Sequence, residues 1–317
     1  MPLLSIIVPI YNRANTLADA LDSVFSQSFG DFELIAVDDG STDDTPVILA
    51  GYCRAQPLER LRVFRQPRNT GAGTARNWGI AEARGEYCTF LDSDDLLFPW
   101  SLSVVGEAIS AADRPPVILG RELRFDNAAE FSAVTREPLQ TTAWPDVYAY
   151  GAQHHLGVTG TIIARTALLR EVGGFVTEPM VGDGADLMLR LGIIPKMVKI
   201  DAPATYAYRV RPEHTTDQER WIRRAGELIL RYRNSAFPGV PARAAELRRL
   251  LARDAGYFSI VCLYLGGWKN CLRLYLKQFV FQLRGRNYAY LLKTPFLFAL
   301  SLLGLWPRRQ RSAARPG

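Results

Sequence analysis

Four times in the first 111 residues, a run of apolar, β-branched residues gives way to one with helical spacing. Leu4-Ser5-Ile6-Ile7-Val8 reads as a buried parallel strand, and Thr16 to Phe25 then repeats Leu17, Ala18, Leu21, Val24 and Phe25 on one face. Phe32 to Val37 precedes a helix capped around Ser41-Thr42-Asp43, Leu61 to Phe64 one from Gly73 to Ala83, and Tyr87 to Leu91 one near Trp100 to Ala111. Repeated β-α units predict an α/β fold with a mostly parallel, Rossmann-like sheet flanked by helices. In such sheets ligands bind beyond the carboxyl ends of the strands. Two acidic groups, Asp38-Asp39 and Asp92-Ser93-Asp94-Asp95, sit at those ends.

Three carboxylates within four positions repel one another, and each costs several kcal/mol if buried without a partner. An Asp-Ser-Asp step at a strand end offers a pair of hard oxygen ligands suited to Mg²⁺ or Mn²⁺, which are usually held by one or two carboxylates together with substrate phosphates. Helix capping is the other reading, since the acidic group precedes a helical run.

The neighbouring motifs favour the metal. "SIIVPIYNRANTLADALDSVFSQSF", "FELIAVDDGSTDDT", "NTGAGTARNWGIAEARGEYCTFLDSDD" and "VGGF" follow in an order and spacing that resembles the inverting glycosyltransferases of family 2, which have the GT-A fold. The resemblance covers roughly residues 4 to 210. It implies a nucleotide pocket formed by Pro9, Tyr11, Asn12, Asp39, Gly71, Arg76 and Ser93, with Asp39 accepting from a uracil imide and Arg76 helping to hold the nucleotide. It also implies that Asp92 and Asp94 face the donor diphosphate through a divalent metal. The chemistry agrees, because an aromatic can stack a base, a carboxylate can accept from its N–H edge and Arg suits phosphate.

Inverting transfer needs a base for the acceptor hydroxyl. In the family this base usually lies in an acidic dyad before a helix reading "DLxLRL". Here the text is "VGDGADLMLRL", so Asp183-Gly184 stands for the dyad and the commonly basic position has become Gly184. Asp183 is the preferred base and Asp186 its rival, with helix capping as Asp186's other role. In the "YRxH" segment of some relatives this chain has Tyr208-Arg209-Val210-Arg211, with His214 three residues on. Arg211 could contact phosphate there. His154-His155 falls where relatives meet acceptor or donor sugar, but adjacency alone is a weak zinc signal.

From Pro115 to about Ala207 the signals are mixed: Val117-Ile118-Leu119 and Thr161-Ile162-Ile163 resemble strands and Asp186 to Leu191 a short helix. After Asp217 the chain turns helical, with Pro238-Gly239-Val240-Pro241 as a break. This divides the chain into a catalytic domain over 1–217 and a helical extension over 218–317. The extension carries the charge. No acid follows Asp254, whereas ten Lys and Arg do, and without them the net +6 would become −4. Trp268, Cys271-Leu272, Tyr275-Leu276, Phe279-Val280 and Leu283 recur at helical spacing beside Lys269, Arg273 and Lys277, a basic amphipathic helix expected to lie on an anionic membrane surface. "PFLFALSLLGLW" is too short to span a bilayer, which needs roughly 20 residues. The aromatics form an apolar face rather than a basic groove, so nucleic acid is not an expected partner.

The four cysteines lack a CxxC pair and disulfide density, and the start, Met1-Pro2-Leu3-Leu4, lacks signal-peptide character. These features point to a cytoplasmic protein, peripheral on the inner face of the membrane. Together they describe a metal-dependent glycosyltransferase moving a hexose from a nucleotide sugar, most readily a UDP-sugar, to a saccharide or lipid-linked saccharide acceptor. A non-catalytic nucleotide-sugar-binding protein on the same fold is the alternative, favoured by Gly184. An oxidoreductase is disfavoured, because the first strand-helix turn has no GxGxxG.

Overall fold

A computed structural model describes residues 1–303 apart from 157, 179–181, 211–217, 241 and 265–266, and apart from the side chains of 218, 220, 221 and 264. The chain forms two compact units, one of Met1–Val147 with Leu156–Val210 and one of Tyr148–His155 with Arg211–Gly317.

The first unit begins with the anticipated alternation: β1 (Leu4–Ile10), α1 (Leu17–Phe25), β2 (Phe32–Asp38), α2 (Thr45–Ala55), β3 (Leu61–Arg65), α3 (Ala72–Glu82), β4 (Tyr87–Phe90) and α4 (Ser101–Ala111). Every residue of β1, β2 and β4 is buried, as strands covered by helices on both faces must be. At about 1.5–3 kcal/mol for each fully buried Leu, Ile, Val or Phe, these strands anchor the unit. α3 lies close on β1 because Gly79 has no side chain: a Cβ there would stand 2.4 Å from Ile7 Cγ2. That close seat fixes where α3 presents Arg76.

The stretch of mixed signals contains six more strands: β5 (Val117–Leu119), β6 (Glu122–Phe125), β7 (Gln140–Trp144), β8 (Ile162–Arg165), β9 (Met197–Ala202) and β10 (Tyr206–Arg209). Between them lie α5 (Ala128–Ser132), α6 (Val147–Gly151), α7 (Thr166–Glu171) and α8 (Asp183–Arg190). Eight strands form one sheet in the order β3-β2-β1-β4-β8-β5-β9-β7, and β10 pairs with β6 in a second. The sheet is mostly parallel, but β8 runs antiparallel to β4 and β5, and β7 antiparallel to β9. Parallel register sets Ile10 beside Asp38 and Ile7 beside Phe90, so the chain leaves β1, β2 and β4 along one edge.

The second unit holds α9 (Gln218–Arg233), α10 (Ala244–Tyr264), α11 (Trp268–Arg284) and α12 (Tyr288–Leu302). It also takes in the segment 148–155. The guanidinium of Arg253 on α10 donates to the carbonyls of Gly151 (2.7 Å), Ala152 (2.8 Å) and His154, and the Tyr148 hydroxyl donates to Pro238 O at 2.9 Å. α11 buries Cys271, Leu274, Gln278, Phe281 and Gln282 while Leu276, Phe279, Val280 and Leu283 stay exposed. α12 likewise exposes Tyr288, Leu292 and Phe296, and among the described residues no helix is long and apolar enough to cross a membrane.

Candidate functional site

The residues that follow β1, β2 and β4 are tied together by their side chains. Asp39 N donates to Ile10 O at 2.7 Å, and the Asp39 carboxylate accepts from Thr70 N (2.8 Å), Thr70 Oγ1 (3.0 Å) and Gly71 N (2.7 Å). Gly40 lets this happen. At φ +77° it adopts the left-handed conformation, and a Cβ would lie 2.6 Å from the Arg68 carbonyl carbon. Asn12, also left-handed at φ 52°, accepts from Thr42 N at 2.8 Å and donates its own N–H to Ser41 Oγ at 2.9 Å. Asp38 turns inward to Ser41 N (2.9 Å) and to Arg65 (3.2 Å), supporting the turn.

Arg76 stands at the centre. Its Nη2 donates to Asp92 Oδ1 at 2.7 Å and its Nη1 to Asp183 Oδ2 at 2.5 Å, while its side chain is only 6% exposed. The guanidinium carbon sits 5.1 Å from the centroid of the Phe175 ring, a cation–π contact. Asn77, one residue on, holds Phe175 by donating to its carbonyl (2.8 Å) and accepting from its N–H (2.7 Å). Burial works against the charge of Arg76, but the fields of Asp183 and Asp92 outweigh it and hold its pKa above the ordinary value. Arg76 Nε is buried without a hydrogen-bond partner.

The acidic turn does not cap a helix. α4 begins only at Ser101, and Asp95 N instead donates to Asp92 O at 2.9 Å. Asp92 is partly open, with its side chain 35% exposed. Asp94 lies 3.6 Å from the guanidinium of Arg13. Asp95 is buried: its carboxylate accepts from the Tyr206 hydroxyl (2.7 Å) and from Arg209 N (2.8 Å). Burial first, then the charges of Asp92 and Asp94, push Asp95 up to about 8, against the two hydrogen bonds that favour its charged form. The Tyr206 hydroxyl also accepts from Asp92 N at 3.3 Å. Ser93 is held through its carbonyl, which accepts from Thr16 Oγ1 at 3.0 Å.

The structure thus gathers Asp92, Arg76 and Asp183, with Asp94 in the same turn as Asp92, and Asn12, Asp39 and Gly71 on neighbouring loops. Pro9 is buried within β1, and Tyr11 is 40% exposed after it. Asp186 is placed elsewhere. It is fully buried and accepts from Arg190 Nε at 2.8 Å, one helical turn along α8, and Arg190 in turn donates to Val172 O at 2.7 Å. This is neither a helix cap, since α8 starts at Asp183 after Gly182, nor an accessible base. Asp39 and Arg76, expected to meet the nucleotide, spend these bonds on the loop and on carboxylates.

Gly184 has a packing reason. A Cβ there would stand 2.5 Å from Thr159 Oγ1 and 3.1 Å from Thr159 Cα, so the first turn of α8 lies directly on the 3₁₀ turn Thr159–Thr161. Thr159 Oγ1 lies 3.3 Å from Asp183 Oδ1, to which Gly184 N also donates at 2.8 Å. Gly184→Ala is expected to lower stability by about 1–3 kcal/mol, the usual cost of overpacking against backbone. Chemical denaturation checks it, and an unchanged midpoint would show that α8 can move aside.

Arg13, Thr159, Phe175 and Tyr206 shape the site but carried no role in the sequence. Arg13 directly follows the quoted "PIYN" turn and Phe175 ends the quoted "VGGF", so both lay within visible motifs. His155 lies in the other unit, its Nδ1 3.6 Å from Asp254, and among the described residues no group of three metal-ligating side chains occurs. Arg211, His214 and the terminal basic run after residue 303 lie outside the described residues.

The family model described as Glycosyl transferase family 2 matches residues 5–172, slightly over half of the chain. An uncharacterized glycosyltransferase of Rickettsia typhi is 31% identical over 176 residues, which cover 55% of this chain and 54% of that protein. The succinoglycan biosynthesis protein ExoO of Rhizobium meliloti is 30% identical over 219 residues, 67% of this chain and 62% of its own. The chain spans about half the length of the curated relatives it matches. Among solved structures, S. aureus TarS 1-349 in complex with UDP-GlcNAc aligns with a TM-score of 0.60 at 20% identity, covering 98% of this chain and 93% of that one. The mannosyltransferase PcManGT from Pyrobaculum calidifontis in complex with GDP-Man and Mn²⁺ aligns at 0.53 with 19% identity, covering 97% and 88%. These likenesses establish the GT-A fold.

Proposed function

Because the chain belongs to glycosyl transferase family 2, we propose that it is an inverting glycosyltransferase that moves a hexose from a nucleotide sugar to a saccharide acceptor. The observation that carries this reading is the Arg76 bridge, which brings a carboxylate from the end of β4 and one from the start of α8 to a single guanidinium. Asp92 and Asp94 then belong to the donor diphosphate and Asp183 to the acceptor hydroxyl. A UDP-sugar is the preferred donor, supported by the TarS complex with UDP-GlcNAc.

A divalent metal fits the residues present. Asp92 and Asp94 are hard carboxylate donors in one turn; burial, with their charges added to it, pushes the adjacent Asp95 up to about 8, so a cation would relieve the repulsion among them. Two protein ligands suffice for Mg²⁺ or Mn²⁺ when phosphates complete the shell. Such an ion would neutralise the leaving diphosphate. Asp183 would take the acceptor proton, Arg76 would hold Asp183 in place, and Asn12, Asp39 and Gly71 would shape the nucleotide pocket.

The test is nucleotide release from a panel of UDP- and GDP-sugars with Mn²⁺, with and without oligosaccharide acceptors. Acceptor-stimulated release of one nucleoside diphosphate is the expected result. Gly184 favours a second reading, a nucleotide-sugar-binding protein without turnover, and tight donor binding with no release under any acceptor would establish it.

The helical unit we place on an anionic membrane surface, at the inner face of the membrane, which is the sole support for a lipid-linked acceptor. α11 and α12 expose apolar side chains up to 78% at Leu292, beside Lys269, Lys277, Arg284 and Lys293, in a segment with no acid, while Arg273 pairs with Glu219 on α9. Near anionic lipid each Lys or Arg contributes on the order of 1 kcal/mol, and apolar side chains add attraction that salt does not screen. Full-length protein is therefore expected to sediment with phosphatidylglycerol vesicles and to be loosened but not released by high salt. Leu276→Glu with Phe279→Glu should abolish sedimentation with helicity unchanged. Self-association without vesicle binding would assign this face to a second copy.

A further inference from the structure

A buried guanidinium that bridges two carboxylates from different elements is a strong, directional device, since charge-assisted hydrogen bonds are about twice as strong as neutral ones. In this chain the bridge joins two groups with different roles in the proposed reaction: Asp92 on the metal side and Asp183 on the acceptor side. We infer that Arg76 is a resident counter-cation that withholds Asp92 from a divalent metal in the free protein, so that metal enters together with a nucleotide diphosphate. The inference rests on the proposed role of Asp92 and Asp94 as metal ligands.

Three observations support it. Arg76 is fixed from every side: Gly79 seats α3 against β1, the Phe175 ring lies under the guanidinium, and Asn77 clamps Phe175. Its Nη2 donates to Asp92 Oδ1 at 2.7 Å, one of the two carboxylate oxygens that Asp92 could offer a cation. Its second anchor, Asp183, is itself held by Gly184 N, so Arg76 cannot follow Asp92 toward a metal without giving up a buried ion pair. A metal arriving alone must therefore displace a hydrogen-bonded cation and leave it short of one partner. A metal arriving with a diphosphate brings new anionic oxygens that can replace Asp92 as the partner of Nη2.

Arginine is required for this, because its fork spans two acceptors where a lysine ammonium is a single point charge. Mn²⁺ binding without nucleotide, read from the electron paramagnetic resonance signal of free Mn²⁺, separates bridging from charge. Wild-type protein should bind Mn²⁺ weakly alone and more tightly with UDP. Arg76→Gln should bind Mn²⁺ without UDP at least about tenfold more tightly, the scale of one charge-assisted hydrogen bond. Arg76→Lys should shift in the same direction, and Asp94→Asn added to Arg76→Gln should remove the gain. Asp183→Asn, which leaves Arg76 to Asp92 alone, should weaken Mn²⁺ binding and does not depend on the folding of Arg76 variants.

An Arg76→Lys protein that matches wild type while Arg76→Gln gains would show that net charge alone matters and would overturn the bridge. Unchanged affinity in Asp183→Asn would overturn it independently. If wild type binds no Mn²⁺ even with UDP, the metal reading fails and this inference fails with it.

Discussion

Asp94→Ala should abolish transfer, to less than about a thousandth of the wild-type rate, and should remove the Mn²⁺ dependence of UDP binding. The turn concentrates negative charge at the end of β4, and of its three carboxylates Asp95 is committed to Tyr206 and Arg209 while Asp92 is bonded to Arg76. Asp94, next to the Arg13 guanidinium at 3.6 Å, takes part in neither of those sets of bonds. Its removal leaves both in place, and the expected defect is in metal-dependent chemistry. Calorimetric titration of UDP with and without Mn²⁺ checks the binding half, and a variant that turns over normally in chelator would refute metal ligation.

For Asp183→Asn the expectation, at saturating Mn²⁺, is intact donor binding with turnover lowered at least about 100-fold, the usual scale for a general base. The amide keeps the shape of the carboxylate and can still accept from Gly184 N, but it cannot take a proton. Asp186→Asn should behave differently. Removing the charge of the fully buried Asp186 leaves Arg190, 12% exposed, without its ionic partner and costs about 3 kcal/mol of stability. Its rate per folded molecule should fall much less than that of Asp183→Asn. Rates normalised to active sites decide the ranking, and the reverse order would make Asp186 the base.

The half of the sheet around β1 was legible because strands covered on both faces are continuous apolar runs, and the helices between them carry a clear period. β7 and β10 were not, since Gln140–Trp144 is exposed over four of its five residues and Tyr206–Arg209 is short and partly polar. Neither presents the alternation that marks a strand. The antiparallel setting of β8 was likewise invisible, because direction is fixed by the crossover and not by the residues. At the site, Asp92 and Asp94 could be read as charge in unusual places, whereas Asp183 was reached only through the resemblance to the family's acidic dyad. The Asp186–Arg190 pair was readable too, as acid and base four apart on a helix, although the same Asp also fitted the search for a base. The roles of Phe175, though it stands in a visible motif, and of Tyr206 were hidden, since a ring under a guanidinium or a hydroxyl on a buried acid depends on packing between elements far apart in sequence.

The clamp of Arg253 on the carbonyls of residues 151, 152 and 154 has a bearing on how the protein is made. Segment 148–155 leaves the ribosome about a hundred residues ahead of Arg253, a delay of roughly 5–20 s at ordinary elongation rates. During that interval the strands on either side can pair while Arg253, which later holds these carbonyls, has not yet been added. The helical unit is thus not an independent tail appended to a finished domain. Its first piece is laid down in the middle of the other unit's synthesis, so a nascent chain halted before residue 253 carries a loop awaiting its clasp, a natural target for a chaperone or a protease.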